Sequence, residues 1–397
     1  MNAEWGYAPE SDDISGRVAI VGVGESEHTK ASGRRSVDIA VTAVERAIAD
    51  AGLEPADIDG VMRVPRVGGQ LDGAAFHDHF GTGHDLWHSD RGGGMRWAAT
   101  APYDAARALA AGEANYIVNS FAVAWATERG EMTGGPGEMH AQERYKASLE
   151  VPFGWFPQPV YFATIARRHM HEYGTSERQL GEVAVACREH ANRHPGAVMH
   201  GRPLTIDDYL ASPQFVEPFR KEDCCLISDG GGAYVMTTVE RARDLPGPVI
   251  EVAGVGLGRS TTGTHWSQQG DFTATPQAFA APAAFAMAGL SPADVDVLTL
   301  YDPFTIVALM QVEDMGFCAK GDAGAFAEGG ALRVGGELPL NPHGGLLSHA
   351  YVLGIAHVVE VVRQLRGEAH AQVDGAQVGA YGGYTGPEAA TLILRRT

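Results

Sequence analysis

The sequence predicts an α/β fold of two duplicated halves, arranged as a five-layered α-β-α-β-α sandwich. One observation is a repeat: AGLEPADID at 51–59 returns as AGLSPADVD at 288–296. A second is the repeat of the strand before it, VAIVGVG at 18–24 and IEVAGVG at 250–256. A third is that apolar strands alternate with helical patterns, which predicts mainly parallel sheets. A repeat at this distance indicates a duplicated domain, with an active site where the halves meet.

The predicted N-terminal half covers residues 17–245. A strand at 17–24 leads to a helix at 36–52, whose apolar residues recur at helical spacing and which ends at Gly52. The next predicted elements are a strand at 59–64, a Gly- and His-rich loop at 67–94, a helix at 95–111 and a strand at 115–123. A loop region at about 126–215 then includes helices at 160–173 and 176–193, and a strand at 234–238 closes the half.

The predicted C-terminal half, residues 246–397, repeats the plan after a linker with two prolines. Its predicted elements are a strand at 249–255, helices at 276–289 and 303–316, a strand at 295–301, a helix at about 350–366 and strands at 372–380 and 389–395. The helix after Tyr351 is apolar around most of its circumference, so we expect it to be buried between the sheets.

Charge and composition exclude several classes of function. The net charge of −19 argues against nucleic-acid binding, which needs a basic face. The sequence has no apolar run long enough to span a membrane, and its acidic N-terminus does not resemble a signal peptide. The four cysteines show no metal-type spacing and fit a reducing cytoplasm, where we expect the protein. Four histidines lie in a loop without cysteine or helical register, so we expect no metal site at His77, His79, His84 and His88.

Two glycines after the first strand resemble the start of a dinucleotide-binding motif. The position of its third glycine is Glu27 here, so the motif is incomplete. We therefore expect Gly22 and Gly24, and their repeat at 254 and 256, to allow close packing of strand and helix.

Several segments of the C-terminal half carry a family resemblance. They are Tyr301-Asp302-Pro303-Phe304, Asn341-Pro342-His343-Gly344-Gly345-Leu346, Ser348-His349-Ala350-Tyr351-Val352-Leu353-Gly354 and Gly382-Gly383-Tyr384-Thr385-Gly386. Together with Glu217-Pro218-Phe219-Arg220, they resemble the thiolase superfamily, in particular its sterol-carrier branch of lipid-transfer proteins. The resemblance extends from Val18 to Arg396 and implies the thiolase fold.

The chain departs from that family where a thiolase carries out its chemistry. No cysteine is present in 92–96, where a helix begins with the nucleophile in the family. Tyr351 replaces the histidine of Gly-His-Pro-x-Gly, and Ala380 aligns with the second catalytic cysteine. Tyr301 takes the position of an Asn or His of the oxyanion hole. Thiolysis through an acyl-enzyme is not expected, because no thiolate remains to be acylated.

The tyrosine pair resembles the thiolase-like aldolases that shorten steroid side chains. This resemblance implies retro-aldol cleavage of a β-hydroxyacyl-CoA, for example a 17-hydroxy steroid-20-carboxyl-CoA. The products would be a ketone and a shortened acyl-CoA such as propionyl-CoA. Such a cleavage needs a base for the hydroxyl, a stabilised enolate and an acid for the α-carbon.

We expect Tyr351 to be the general base and Tyr301 the proton donor, although the roles are exchangeable. A helix N-terminus at Tyr351 and a hydrogen bond from His343 are expected to lower the pKa of its phenol from about 10. Backbone N–H groups are expected to hold the enolate oxygen, at Gly344, Gly382 and Gly383.

The resemblance also implies partners. We expect no cofactor or metal on this chain, with a CoA thioester as substrate. A homodimer is expected to form near the strand at 115–123. The expected partner is a DUF35 protein, which consists of a zinc ribbon and an OB-fold, so any zinc lies on the partner. One such protein on each side of the homodimer would give a heterotetramer. A cationic patch for CoA would come from the partner or from Arg188, Arg193, Arg202 and Arg220.

Two other functions stay open at this point. One is a conventional acyl transferase, either a thiolase or a condensing enzyme, which the missing cysteines disfavour. The other is a non-catalytic subunit that binds lipid or acyl-CoA, which the tyrosine pair disfavours. An aromatic cluster is compatible with core packing, a sterol-sized channel or a subunit contact, and comprises Phe153, Trp155 and Phe156.

Overall fold

The computed structural model describes residues 5–64, 70–128, 146–155, 157–262 and 268–397. Up to residue 242 the strands are β1 (Gly6–Tyr7), β2 (Val18–Glu25), β3 (Gly60–Met62), β4 (Trp87–Ser89), β5 (Ile117–Ala124), β6 (Gln214–Val216), β7 (Phe219–Arg220) and β8 (Asp229–Thr238). The helices of this part are α1 (Ser36–Asp50), α2 (Gly73–Phe80), α3 (Arg96–Ala111), α4 (Gln158–Tyr173), α5 (Glu177–Arg193), α6 (Ile206–Ala211) and α7 (Val239–Ala242).

The remaining chain contains four strands and five helices among its described residues. The strands are β9 (Ile250–Ser260), β10 (Val297–Leu300), β11 (Val378–Tyr384) and β12 (Glu388–Arg396). The helices are α8 (Gln277–Ala288), α9 (Thr305–Asp314), α10 (Ala323–Glu328), α11 (Gly345–Ser348) and α12 (Ile355–Arg366). In the described part of the chain, no helix is both long and apolar enough to cross a bilayer.

The sheet topology confirms the predicted duplication. One continuous sheet has the strand order β10-β11-β12-β9-β2-β8-β5-β3-β4. Outward from the centre, β9-β12-β11-β10 repeats β2-β8-β5-β3, and each pairing keeps its direction. The two halves join where β2 pairs with β9 over only two residue pairs, Ala19–Glu251 and Ile20–Ile250.

The prediction of mainly parallel sheets is wrong. The parallel pairs lie at the two ends of the sheet, β10–β11 in one half and β4–β3 and β3–β5 in the other, whereas the last strand of each half runs antiparallel to both of its neighbours. The chain between β11 and β12 is a short turn, which can connect only antiparallel strands. Alternation of strands and helices therefore identified the class but not the direction of the closing strand.

The helices complete the five predicted layers. Helix α1 packs on β2, β5 and β8, and α8 packs on β9 and β12. Between the two halves of this sheet lie α3, which contacts β8, β11 and β12, and α12, which contacts strands of both halves. Helix α12 is almost entirely buried, which confirms the prediction for the helix after Tyr351.

The glycines of the repeated strand pack as predicted. A Cβ added at Gly22 would lie 2.1 Å from the Ala47 carbonyl oxygen of α1, and one at Gly256 would lie 2.0 Å from the Ala280 carbonyl oxygen of α8. Their neighbours Gly24 and Gly254 are equally close to a helix backbone. Both outer helices therefore rest directly on strand backbone.

Two local predictions need correction. The predicted loop at 67–94 contains α2 and β4, because Asp72 caps a short helix and β4 pairs with β3 at the edge of the sheet. The long helix begins at Ile355 rather than at Tyr351. Gly354, with φ of 79°, separates the two positions, so Tyr351 lies in an irregular segment before the first helical turn.

Candidate active site

The structure brings the two predicted tyrosines together between the halves. Tyr301 follows β10 and Tyr351 precedes α12, and their hydroxyl oxygens are 3.4 Å apart. This is a long contact for two hydroxyls, which usually approach to about 2.7–2.8 Å. Tyr301 is buried, with 5% of its surface exposed, whereas Tyr351 is half-buried. The expected convergence is confirmed, and the catalytic roles stay predictions.

Each tyrosine is fixed by a different half of the chain. The backbone N–H of Tyr301 donates to the Gly382 carbonyl of β11 at 2.8 Å, and the Gln311 side chain donates to the Tyr301 carbonyl at 2.9 Å. The backbone N–H of Tyr351 donates to the Ser228 hydroxyl at 2.8 Å. The Trp125 ring lies beside the Tyr351 ring at 5.8 Å between centroids. The geometry of the pair therefore depends on both halves.

Both phenols have a raised pKa, contrary to the expectation for Tyr351. Burial raises the pKa of Tyr351 above its usual 10, and the Cys225 thiol adds to this effect. Burial also raises the pKa of Tyr301 well above 10, followed by the influence of Tyr351 itself. The expected helix N-terminus begins only at Ile355, so it does not stabilise a phenolate at Tyr351. The pair is therefore neutral at physiological pH.

His343 is not the expected donor to Tyr351. Its side chain is buried, and among the described residues neither ring nitrogen has a hydrogen-bond partner. The ring packs against His357 at 4.6 Å and His349 at 5.0 Å between centroids. Burial, and then the nearby His357 and His349, lower the pKa of His343 well below 6.5. His343 is thus a neutral member of an imidazole cluster.

The three predicted oxyanion glycines occupy different environments. The N–H of Gly344 donates to the Asn341 carbonyl at 2.7 Å, so this donor is already engaged within its own loop. Gly382 and Gly383 lie together near the end of β11, next to the backbone of Tyr301. Of the three glycines, only Gly382 and Gly383 lie beside the backbone of Tyr301.

Asp302 organises the loop that leads to Tyr351, and sequence reasoning missed this role. Its buried carboxylate accepts from the Leu346 N–H at 2.8 Å and lies 3.0 Å from the His357 ring nitrogen Nε2. Gly345, with φ of 63°, leaves room for this contact, since a Cβ there would lie 2.1 Å from the carboxylate. The family resemblance marked the Tyr-Asp pair, but nothing local revealed that the aspartate holds a loop.

Met95 lies in the segment 92–96, where the family resemblance implies a nucleophile, and its backbone is strained. Its dihedrals are φ 53° and ψ −138°, a region that non-glycine residues rarely occupy. Such a conformation costs about 1–3 kcal/mol and persists only when the surroundings impose it. The Tyr381 hydroxyl donates to the Met95 carbonyl at 2.9 Å, and the Met95 N–H donates to the Leu353 carbonyl.

The cysteine thiols are held neutral. Burial raises the pKa of Cys225, the thiol that influences both phenols, to about 12, and the Asp302 carboxylate adds to this. Burial likewise raises the pKa of Cys318 to about 12 and that of Cys187 well above 9. The pKa of Cys224 is raised by the same cause. None of these thiols is activated for acylation, since the thiolate is the nucleophile.

A buried cluster of Glu25, His28 and His349 was not visible in the sequence. Their donor atoms lie within 4.8 Å of one another, although 324 residues separate Glu25 from His349. One Glu25 oxygen lies 3.2 Å from His349 Nε2, and the other receives the Arg363 guanidinium. Arg363 therefore supplies the positive charge that balances this carboxylate, while His28 Nε2 and His349 Nδ1 have no hydrogen-bond partner among the described residues.

The arginines expected to bind CoA are largely engaged. Arg193 pairs with Glu189, and Arg220 pairs with Glu177. Arg188 is buried and donates to the Ser348 hydroxyl at 2.9 Å and to the Arg202 carbonyl at 3.2 Å. Arg188 therefore braces the segment before Tyr351, whereas Arg193 and Arg202 are exposed at the surface.

The remaining candidates from the sequence are dispersed. The loop histidines have separate partners: His77 contacts the Thr82 hydroxyl, His79 the Glu45 carboxylate and His84 the Ile58 carbonyl. In the aromatic cluster, Phe153 is 80% exposed and does not belong to the core. Trp155 packs its ring against Tyr161 at 4.7 Å between centroids. Phe156 lies outside the described residues.

Comparisons of sequence support the resemblance. Residues 258–396 match the family described as thiolase C-terminal domain-like. The chain is 37% identical over 363 residues to the steroid side-chain-cleaving aldolase of Thermomonospora curvata, covering 89% of this chain and 91% of that protein. It is 37% identical over 400 residues to the 17-hydroxy-3-oxo-4-pregnene-20-carboxyl-CoA lyase of Mycobacterium tuberculosis, which covers 96% of this chain and 100% of that protein.

Comparisons of structure point the same way. An Ltp2-ChsH2(DUF35) aldolase superposes with a TM-score of 0.87 at 36% identity, over 97% of this chain and 99% of that chain. Human mitochondrial 3-ketoacyl-CoA thiolase superposes with a TM-score of 0.66 at 14% identity, over 96% and 99% of the two chains. The second likeness is one of fold alone.

Proposed function

Because this chain belongs to the thiolase-fold family that contains the steroid side-chain-cleaving aldolases, we propose that it cleaves a carbon–carbon bond in a steroid β-hydroxyacyl-CoA. The enzyme is a carbon–carbon lyase, and its substrate class is that of a 17-hydroxy steroid-20-carboxyl-CoA. The products are a steroid ketone and a shortened acyl-CoA such as propionyl-CoA. The observation that carries this proposal is the contact of two phenol hydroxyls, 3.4 Å apart, at the junction of the halves.

In the proposed reaction the bond between the α- and β-carbons of the acyl chain breaks. Its electron pair is delocalised as a thioester enolate, while the β-carbon becomes a carbonyl. The β-hydroxyl loses one proton and the α-carbon gains one, so no net proton is consumed. The reaction needs no covalent bond to the enzyme, which agrees with thiols that are held neutral.

We assign the proton transfers to the phenol pair acting as a relay. Tyr351 accepts the hydroxyl proton while it passes its own proton to Tyr301, and Tyr301 gives its proton to the α-carbon. The reverse assignment balances equally. Each phenol donates and accepts at once, so neither has to become a free phenolate. A raised pKa is therefore compatible with catalysis by this pair.

The enolate oxygen needs hydrogen-bond donors in a site with little water. We propose that this oxygen lies against the Gly382–Gly383 segment, beside the main chain of Tyr301. Both glycines are registered against Thr391 and Ala390 of β12, and the N–H of Gly344 donates to the Asn341 carbonyl, so a donor among these three would be shared with its present partner. A preorganised backbone donor typically contributes about 2.7–4 kcal/mol to a developing oxyanion.

We also propose a DUF35 protein as partner, since the solved relative is a complex with such a protein. The expected homodimer cannot form by joining the sheets at β5, because β5 is already paired with β8 and β3. Among the strands that the structure describes, β4 forms the open edge of this half, and we propose it as the dimer contact. Two copies of each protein would then form a heterotetramer, with any zinc on the partner.

Replacement of each phenol tests the relay. With the DUF35 protein co-expressed, Tyr301→Phe and Tyr351→Phe should each lower kcat for a branched β-hydroxyacyl-CoA about 100- to 10,000-fold. The reason is that either change removes the hydroxyl through which the proton must pass. Product ketone and acyl-CoA are quantified by chromatography. The control is Tyr7→Phe, at an exposed tyrosine.

Two results would contradict this account. Near-normal cleavage by Tyr351→Phe would exclude the relay, even if the enzyme is a lyase. A wild-type complex that binds acyl-CoA but cleaves no β-hydroxyacyl-CoA would instead favour the non-catalytic binding subunit.

A further inference from the structure

Met95 keeps a side chain where a glycine would be less strained. Among the described residues, positive φ angles at non-glycine positions occur only at Met95, Asn341 and Leu353. Three glycines directly precede Met95, and glycine adopts such angles without steric penalty. Strain at a non-glycine residue is a reason to look for a function of its side chain.

The strained turn is held from the other half of the chain. The Tyr381 hydroxyl donates to the Met95 carbonyl at 2.9 Å, and the Met95 N–H donates to the Leu353 carbonyl. Gly383 packs so closely that a Cβ there would lie 2.7 Å from the Met95 carbonyl oxygen. These contacts fix the backbone and therefore the direction in which the side chain leaves it.

The turn is adjacent to the phenol pair. A Cβ at Gly354 would lie 2.2 Å from the Tyr381 hydroxyl and 3.4 Å from the Tyr301 ring, so the two tyrosines flank the same glycine. Met95 packs against the apolar cluster that contains Tyr301, and Tyr351 packs against this cluster too. The Met95 side chain is only half-buried, so part of its thioether remains available for contact.

We infer that Met95 is a specificity-determining residue whose thioether contacts the acyl group of the substrate and limits the size of the α-substituent. This inference deepens the proposed lyase function and rests on it. A flexible, polarisable thioether suits an apolar acyl chain better than the charged parts of CoA. Because its backbone is fixed, the Met95 side chain is held at the edge of the acyl site.

Acyl selectivity in binding and in cleavage tests the inference in the complex with the DUF35 protein. Dissociation constants are measured for propionyl-CoA and butyryl-CoA, and kcat/KM for two β-hydroxyacyl-CoAs that carry α-methyl or α-ethyl groups. Met95→Ala should shift both ratios about tenfold toward the larger group, since one methylene in an apolar pocket changes selectivity 10- to 200-fold. Met95→Leu should stay within about threefold of wild type because it keeps most of the volume.

Two further variants separate size from strain. Met287→Ala, at a half-buried methionine of the outer helix α8, should leave both ratios unchanged. Met95→Gly should shift the ratios as Met95→Ala does but melt at a higher temperature than Met95→Ala, because glycine relieves the backbone.

The outcomes are distinguishable. Unchanged ratios in both Met95→Ala and Met95→Gly would overturn the inference and leave Met95 a structural residue. A Met95→Gly variant that melts no higher than Met95→Ala would overturn the argument from strain. A shifted binding ratio in a complex that cleaves neither β-hydroxyacyl-CoA would support the role of Met95 and contradict the lyase function.

Discussion

A phenol that contacts another phenol lacks the positive charge that would stabilise its phenolate form. Tyr301 and Tyr351 contact each other, and burial is the largest cause of the raised pKa of each. The sequence marked both positions through the family resemblance, but it suggested a lowered pKa. That error arose because His343 and the helix start lie near Tyr351 in sequence and do not act on its hydroxyl.

The pH dependence of cleavage distinguishes a relay from a phenolate base. With both phenol pKa values above 10, the neutral forms persist throughout the range from pH 7 to 10. We expect kcat/KM to be flat across this range in the complex with the DUF35 protein. A phenolate base would instead give a rise of about tenfold per pH unit below its pKa.

A stopped assay at constant ionic strength, with intact fold checked by circular dichroism at each pH, makes this measurement. A log-linear rise from pH 7 to 10 that Tyr351→Phe abolishes would establish a phenolate and disprove the relay.

At the scale of elements, packing of strand on helix was the most predictable feature. The paired glycines in the repeated strand motif predicted that the outer helices pack closely on these strands, and the structure places both helix backbones against them. The direction of β8 and β12 was not predictable, because periodicity reports burial and not strand direction. The strained turn before α3 was also invisible, since Met95 has no local preference for positive φ.

Gly256→Ala tests the close approach of β9 and α8. The new Cβ would lie 2.0 Å from the Ala280 carbonyl oxygen, so strand or helix must shift. We expect a loss of about 2–3 kcal/mol in the free energy of unfolding, as is typical of overpacking in a core. Urea denaturation followed by circular dichroism measures the loss.

The matched control is Gly83→Ala, where a Cβ meets open space. Its free energy of unfolding should stay within about 0.5 kcal/mol of wild type. If the two variants have the same free energy of unfolding, β9 and α8 can move apart without loss of stability, which would contradict this prediction.

At the scale of the whole molecule, the halves enclose ionisable groups that no sequence pattern grouped. His28, His194, His343 and His349 come from both halves and form ring contacts with one another. Burial is the largest cause of the lowered pKa of His28, to about 4, and of His194, to about 3. Such groups are recognisable only once the chain is folded, because the residues that surround them are distant in sequence.

The buried histidines, which also include His190 of α5, predict a fold that weakens in acid. In the unfolded chain an imidazole binds a proton near pH 6.5, whereas His28 and His190 stay neutral in the fold down to about pH 4. Between these values the unfolded state binds more protons, so the free energy of unfolding falls as the pH decreases. We expect roughly 2–3 kcal/mol per histidine over this window.

Glu360 and Asp223 act in the opposite sense, because burial raises their pKa to about 7 and to about 6, and their protonation favours the fold below these values. The four histidines with a lowered pKa, His28, His190, His194 and His343, outnumber these two carboxyls, so urea denaturation at pH 7.5 and 4.5 should show a net loss at the lower pH. A His194→Gln variant should lose less than wild type between these two values. Equal stability of the wild type at both pH values would refute the prediction.

The contact between the Met95 N–H and the Leu353 carbonyl has a consequence for biosynthesis. The ribosome completes β8 and α3 before it has made Leu353, Tyr381 or either phenol of the pair, and N-terminal regions generally fold first. Until these residues are made, the Met95 turn lacks the two hydrogen bonds that hold it in the complete chain. We therefore expect a fragment that ends before residue 351 to be inactive, because it lacks one phenol of the pair as well as these contacts.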